Sequence, residues 1–366
     1  MAVLQPVVGT AALADHQPPP PLVPEPTVEA EVTTVADDHA VVFWADAWKR
    51  YDGLEPDTTY TYDGVTFTTL PRPSGARLAT VATVNDVHFG ETVCGLVEGG
   101  GGRDVGPVLS VEPGEPPYPE TMNAAVAGEI EACRPDAVIV KGDLTNDGTE
   151  EELAAFEACY GRFGDRLTVV RGNHDSYRGQ SFASGTREVV LPGATLAVLD
   201  TTVARAAGGH VPADQLEWLD ELASRADRPV LVFGHHYPWD PASPQRPERY
   251  HGIDPDSSEA LVDVVARRPA IVGYFAGHSH RNRLRRFPAT GDVPWVEIAS
   301  VKDYPGAWAE YRVHDGGVMQ VVHRARRAEA LRWTERTRHM FGGLYWRYAL
   351  GSMEARCFMV PSRRGR

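Results

Sequence analysis

The chain has 366 residues, enough for one large domain with a small accessory module, and its 42% apolar and 23% charged content is that of an ordinary globular protein. No run approaches the roughly 18 apolar residues of a membrane span, and the N-terminus lacks the basic and continuously apolar regions of a secretory signal, so a cytoplasmic location is the default expectation. A net charge of −14 argues against a broad basic surface for nucleic acid, so an anionic substrate would have to be attracted locally, by metal ions or a few arginines.

Residues 1–26 are Pro-rich, with Pro18 to Pro21 consecutive, and read as a disordered or polyproline arm. Residues 27–75 carry short alternating runs that predict strands over 28–34, 40–44, 58–62 and 65–70. The stretch from Gly53 to Tyr62 resembles the tyrosine-corner segment of a fibronectin type III domain. It occupies about half the length of such a domain, so a truncated β-module leaning on its neighbour is expected, with 71–75 as the linker.

The main domain is expected over 76–323. Strands at 80–84, 137–140, 168–170, 230–233 and 271–276 alternate with helical patterns at 119–132, 149–163, 213–226 and 257–267. Strands at 294–300, 308–313 and 318–323 follow, the last two joined by a hairpin turn at Asp315-Gly316-Gly317. Crossover helices followed by a meander predict a layered α/β domain built on packed sheets. The extension 324–366 carries eleven arginines against three glutamates and an aromatic run from Phe341 to Tyr348. It is expected to pack its aromatics on the domain while its arginines face acidic partners. The four cysteines, Cys94, Cys133, Cys159 and Cys357, lack C-x-x-C spacing and read as free thiols.

Five apolar runs end abruptly in polar side chains, as buried strands do when their C-terminal ends deliver groups to a site. They bring Asp86 and His88, Asp143, Asn173 and His174, His235 and His236, and His278 and His280. Carboxylates and imidazoles converging without cations carry a large desolvation and repulsion cost, which mixed oxygen and nitrogen coordination of two divalent ions removes. Ligands from several segments with no cysteine suit a catalytic site rather than a closed structural one.

The ordered set Asp-x-His, Gly-Asp, Gly-Asn-His-Asp, Gly-His-His and Gly-His-x-His resembles the calcineurin-like metallophosphoesterase family over about residues 78–323. The resemblance implies a two-sheet β-sandwich flanked by helices, with a dimetal site at its edge. It implies that Asp86, His88 and His280 hold one ion, that Asn173, His235 and His278 hold the other, and that Asp143 bridges them together with an attacking hydroxide. His174 is then the non-ligand histidine beside the scissile phosphate, with Asp175 orienting it. The ions would be divalent or trivalent: manganese, iron or zinc.

Purple acid phosphatases place a tyrosine three residues after the bridging Asp and a glycine where His88 stands. Here that tyrosine position is Asn146, and the motif set is more similar to the bacterial cyclic-nucleotide phosphodiesterase branch. The expectation is a metal-dependent phosphoric ester hydrolase acting on a small phosphoester, with phosphodiesters, cyclic nucleotides among them, ahead of phosphomonoesters. A non-catalytic metal-binding scaffold is the rival of another class. Trp239, Arg246, Arg249, Tyr250 and Arg281 are candidate substrate contacts: they follow ligand motifs and offer base stacking or phosphate pairing.

Overall fold

Short alternating strands build the N-terminal module. The computed structural model describes residues 30–45, 47–95 and 108–361; the Pro-rich arm and the glycine run Gly99 to Gly102 lie outside the described residues. Strands β1 (Glu31–Val35), β2 (His39–Trp44) and β3 (Ala47–Asp52) form an antiparallel sheet, and β4 (Thr59–Tyr62) and β5 (Val65–Thr68) form a hairpin. The strand β3, AWKRYD, was not expected, because its mostly exposed, charged residues carry no apolar alternation. Tyr60 Oη accepts a bond from the Glu55 amide, five residues upstream, at 2.9 Å. The module is clamped to the domain: Thr34 Oγ1 donates to the Val322 carbonyl, and the Arg356 guanidinium donates to the carbonyls of Val32 and Thr33.

Continuous β-branched runs frame the domain. After β6 (Arg77–Val84) come α1 (Tyr118–Cys133), β7 (Ala137–Lys141), α2 (Glu150–Tyr160) and β8 (Leu167–Val170), then β9 (Arg187–Leu191) and β10 (Ala194–Val198). They are followed by α3 (Ala213–Arg225), β11 (Val230–Phe233), α4 (Pro255–Arg267), β12 (Ile271–Ala276), β13 (Arg283–Arg286), β14 (Pro294–Glu297), β15 (Ala307–His314) and β16 (Gly317–Arg324). The chain ends in α5 (Ala328–Thr337), three short helical turns over 340–356, and β17 (Cys357–Pro361).

Two six-stranded sheets result, in the orders β17-β16-β15-β6-β7-β8 and β13-β14-β12-β11-β10-β9. The strands β6, β7 and β8 run parallel, as do β10, β11, β12 and β14. The inner faces meet through Val81, Ile139, Leu196, Phe233, Phe275 and Tyr311. Helices α1 and α2 cover the outer face of one sheet together with Trp333, Tyr345 and Leu350 of the C-terminal segment; α3 and α4 cover the other. Strands buried on both faces have no polar side to alternate, which is why they read as unbroken apolar runs. The fold is a two-sheet β-sandwich flanked by helices.

The C-terminal segment is woven into this frame, with β17 pairing antiparallel to β16. Its arginines find acids: Arg324 and Arg338 meet Glu31 and Glu335, and Arg326 meets Glu129. Helix α2 starts at a capping box. Thr149 Oγ1 accepts from the Glu152 amide while Glu152 accepts from the Thr149 amide, an arrangement worth about 1 kcal/mol. All four cysteines are free.

Candidate metal centre

The parallel strands of both sheets end on the same edge of the sandwich. Strand β6 delivers Asp86 and His88, β7 delivers Asp143, β8 delivers Asn173 and His174, β11 delivers His235 and His236, and β12 delivers His278 and His280. Five of these residues sit in the left-handed region: Asp86 (φ 53°), His88 (48°), Asp143 (50°), His278 (67°) and His280 (53°). A non-glycine residue there costs roughly 1–2 kcal/mol. Such strain persists where the surroundings fix it, and it clusters at functional sites.

The motif glycines make room. A Cβ on Gly142 would lie 2.5 Å from His235 Nδ1, and one on Gly172 would collide with the Asp143 carboxylate. The loops carrying Asp143 and Asn173 therefore pack directly on each other and on His235.

The ligand atoms converge. His88 Nε2 and His235 Nε2 each lie 3.4 Å from Asp143 Oδ2, and His280 Nε2 lies 3.4 Å from Asp86 Oδ1. Asn173 Oδ1 is 3.1 Å from His235 Nε2, and its amide nitrogen is fixed by the Tyr177 hydroxyl, which turns the carbonyl oxygen toward the cluster. The sets Asp86/His88/His280 and Asp86/Asp143/His235 each bring three ligand atoms within 4.8 Å of one another and could hold a metal ion. His236 stands beside His235 and His278, but its Nδ1 meets Thr201 Oγ1 at 2.8 Å and its Nε2 faces the Ala207 carbonyl at 3.2 Å. Both nitrogens are spent, so we assign it a packing role.

The electrostatics fit a cation site. Burial alone would raise Asp143, but the His235, His174 and His88 imidazoles hold its carboxyl well below the usual range. Burial and nearby cationic groups push His88 and His278 well below the ordinary imidazole value, so both are neutral and able to ligate. Against burial, Asp143 holds His235 up at about 9, and Asp86 with Asp303 holds His280 up at about 10. Both ring nitrogens of His88 are buried without a hydrogen-bond partner. An imidazole so placed, facing a carboxylate, is a donor set that a divalent ion satisfies.

Two contacts differ from expectation. The Asp175 carboxylate does not touch the His174 ring: Oδ1 accepts from the Thr145 amide and hydroxyl, and Oδ2 from the amides of Leu144 and Gly172. Fully buried, with its lone pairs taken by backbone donors, Asp175 ties the Asp143 loop to the Asn173 loop. The His174 ring is instead oriented by the Asn146 carbonyl, 2.7 Å from Nδ1. A carbonyl only accepts, so Nδ1 carries the proton and Nε2 is left to the site.

Two participants were missed, and a third was expected only as a substrate-facing residue of the loop after His235. That third residue, His251, stacks on His278 at 4.2 Å, with Nδ1 2.6 Å from His278 Nε2. Asp303 Oδ2 stands 3.3 Å from His280 Nδ1, and Tyr345 of the C-terminal segment donates to its other oxygen. The charged pair Lys302-Asp303 inside an apolar run was the available clue.

The candidate substrate contacts divide. Trp239 is buried, with its indole N–H on the Gln245 carbonyl and the Arg246 guanidinium over its ring. Arg246 itself pairs with Asp256 and Glu259, so both residues brace the loop. Arg249 is exposed. Tyr250 is linked to the cluster through Tyr237, whose ring lies 5.7 Å from that of Tyr250 and 6.0 Å from that of His278, while Arg281 pairs with Glu297 and lies over Tyr348.

An edge-of-sandwich cluster of aspartate, asparagine and histidine, with no cysteine among them, defines a protein that could hold divalent ions in an open site. Residues 79–282, more than half of the chain, match the calcineurin-like phosphoesterase family, and the chain belongs to it. Family membership implies divalent metal ions.

The chain is 28% identical over 181 residues to the glycerophosphodiester phosphodiesterase GpdQ of Enterobacter lignolyticus, covering 45% of this chain and 64% of that protein. It is 34% identical over 188 residues to the cAMP/cGMP dual specificity phosphodiesterase of Mycobacterium tuberculosis, covering 47% and 55%. The matches thus span less than two thirds of either relative. A crystal structure of a dimetal phosphatase from Danio rerio shares the fold, with a TM-score of 0.51 at 14% identity over 69% of this chain and 98% of that one. No helix among the described residues is long and apolar enough to cross a membrane.

Proposed function

We propose that this chain is a dinuclear metal-dependent hydrolase of small phosphodiesters. The observation that carries the reading is the buried set of ligand atoms around Asp86 and Asp143, open on one side at His174. Asp86, His88 and His280 would hold one ion, and Asn173, His235 and His278 the other. Asp143 would serve both, since its Oδ2 stands equidistant from His88 and His235. Manganese, zinc and iron all suit this donor set.

A pair of such ions, when bound, supplies Lewis acidity to the phosphoryl oxygens and a nucleophile from water at neutral pH. The chain's own residues do the rest. Asp143 Oδ1 accepts the His174 amide at 3.0 Å, which fixes that backbone beside the cluster. The Asn146 carbonyl holds the proton on Nδ1, leaving Nε2 of His174 to carry a proton to the departing oxygen. Asp175 keeps the two loops in register, and Asp303 orients His280 from behind, as carboxylates do for ligating imidazoles.

The relatives named as glycerophosphodiester and cyclic-nucleotide phosphodiesterases support diesters over monoesters. The test is purified protein assayed for bound metal and against matched mono- and diesters. Diester turnover that is abolished by chelation and restored by Mn²⁺ or Zn²⁺ is expected; full turnover in demonstrably metal-free protein overturns the reading.

A further inference from the structure

The sequence Arg281-Asn282-Arg283-Leu284-Arg285 leaves the last ligand motif along edge strand β13. Period-two alternation puts the three arginines on one face, while Leu284 on the other packs against the core between the sheets. That face looks toward Tyr237, Tyr250 and Tyr348. The Arg285 guanidinium lies 5.7 Å from the Tyr237 ring, that of Arg281 lies 5.1 Å from Tyr348, and Tyr237 in turn approaches His278. Arg283 stands three residues past His280, at most about 10 Å along an extended backbone.

The charges on this face do not balance. Among the described residues, Glu297 is the one carboxylate within 4 Å of any of the three arginines, leaving two positive charges in excess. Arg281 hydrogen-bonds Glu297 at 3.2 Å. Arg285 donates to the Pro238 carbonyl and lies against the rings of Tyr237 and Phe287. Arg283 has only a 3.9 Å approach to Glu297 Oε1, beyond hydrogen-bond reach, and its side chain is 32% exposed. Burial and the like charges of Arg281 and Arg285 press its guanidinium below its ordinary range, while Glu297 only partly offsets them. On a chain of net charge −14, a half-buried cationic face beside the catalytic edge is a local exception.

Resting on the phosphodiesterase reading, we propose that Arg283, with Arg281, forms an anion subsite for a second phosphate on the same substrate, so that the preferred substrate is a diester whose organic substituent carries a phosphate monoester. A phosphate monoester at neutral pH brings about −1.5 to −2 in charge, which matches the excess, whereas a carboxylate brings half of that. The guanidinium fork suits its oxygens.

The probes are thymidine 5′-(4-nitrophenyl phosphate) and the same compound bearing a 3′-phosphate, which differ only in the second phosphate. Wild-type protein is expected to show a KM about tenfold lower for the 3′-phosphorylated probe, the size of one charge-assisted hydrogen-bonded contact. Arg283→Gln and Arg283→Glu should erase that ratio, with circular dichroism confirming folded protein. Equal KM values in the wild type, or a ratio undiminished in both variants, overturn the proposal. Calorimetry of the two probes on metal-free protein separates this subsite from the hydrolytic reading. A binding preference lost in Arg283→Gln supports the subsite even if neither probe is cleaved, an outcome that would sink only the phosphodiesterase assignment. Turnover of both probes without any preference sinks only the subsite.

Discussion

Two clusters of charge border the sheet β17-β16-β15-β6-β7-β8, one under the N-terminal module and one at the strand ends, and they solve the same problem differently. Between the N-terminal module and β15, Arg312 meets Asp37 at 2.8 Å, Asp38 at 3.0 Å and Glu310 at 2.9 Å, while Arg77 and His323 take up the remaining Glu310 contacts. With Arg72 on Asp37, three guanidinium groups face three carboxylates. At the strand ends, by contrast, Asp86 and Asp143 are surrounded by imidazoles, His88 has no hydrogen-bond partner for either nitrogen, and five residues hold strained backbone. A cluster that saturates itself is an anchor. One that leaves donor atoms aimed at a shared centre is completed from outside.

The sharpest way to break this contrast is to remove the residue on which the unsaturated cluster turns. Asp143→Ala should bring diester hydrolysis to background and lower the bound metal measured by mass spectrometry, because in the proposed centre one carboxylate would serve both ions. Adding Mn²⁺ or Zn²⁺ should raise the Tm of the wild type but not of the variant, since an ion that binds only the folded state stabilises it. A variant that kept its metal and its turnover would remove Asp143 from the centre of the site.

His174 tests whether chemistry as well as coordination resides there. Removing a general acid costs on the order of 10²–10⁴ in rate, and the loss should fall on leaving groups that need a proton. In His174→Ala, single-turnover cleavage of a nucleotide diester with an alkoxide leaving group should fall far more than cleavage of a nitrophenyl diester, with metal content unchanged. Equal losses would reassign His174 to stabilising charge on the phosphoryl oxygens.

The saturated cluster should respond in stability, not chemistry. Arg312→Ala removes the buried cation shared by Glu310 and Asp37 and leaves them only the half-exposed Arg77 and Arg72, so the cost should approach the roughly 3–5 kcal/mol of a broken buried pair. The urea midpoint should drop accordingly while metal content per folded molecule is retained. A shift below about 1 kcal/mol would mean that water fills the gap and that the cluster does not anchor the module.

How much of this was legible in the sequence depended on which residues carried the signal. Strands β6, β7, β8, β11 and β12 announced themselves because each is a β-branched run stopped by glycine or a polar cluster, and those stops are the site. The strands β9 and β10 ended in no ligand and were passed over, although Arg187–Leu191 and Ala194–Val198 flank a Pro-Gly turn. Strand β13, RLRR, could not be read at all: its strand character comes from pairing with β14, and its arginines serve the outer face. The candidate ligands were local to their motifs. Asp303 and Tyr345, which brace His280, come from distant segments, and only the tertiary path brings them in.

Acid should move the anchor by the least, and with a definite sign. Burial alone would raise the Glu310 carboxyl, but the hydrogen bond to His323 and the Arg312 charge hold it well below the ordinary range. A depressed folded pKa means that the unfolded chain takes up the proton first. The stabilisation is therefore complete above the unfolded value, about 4.3, and is lost as pH falls below it toward the folded one. Protonation should cost less than deleting Arg312, because a protonated Glu310 keeps part of its hydrogen bonding. The metal centre complicates a simple acid titration, since its imidazoles take up protons and release cations on the way down. The informative quantity is the difference in urea midpoint between wild type and Glu310→Gln, followed from pH 7 to 3.5. That difference should be constant down to about pH 5 and then shrink as the Glu310 carboxyl of the unfolded wild-type chain takes up its proton. A difference that stayed flat across the whole range would show that Glu310 is not held charged by its partners, and the anchor would then rest on packing alone.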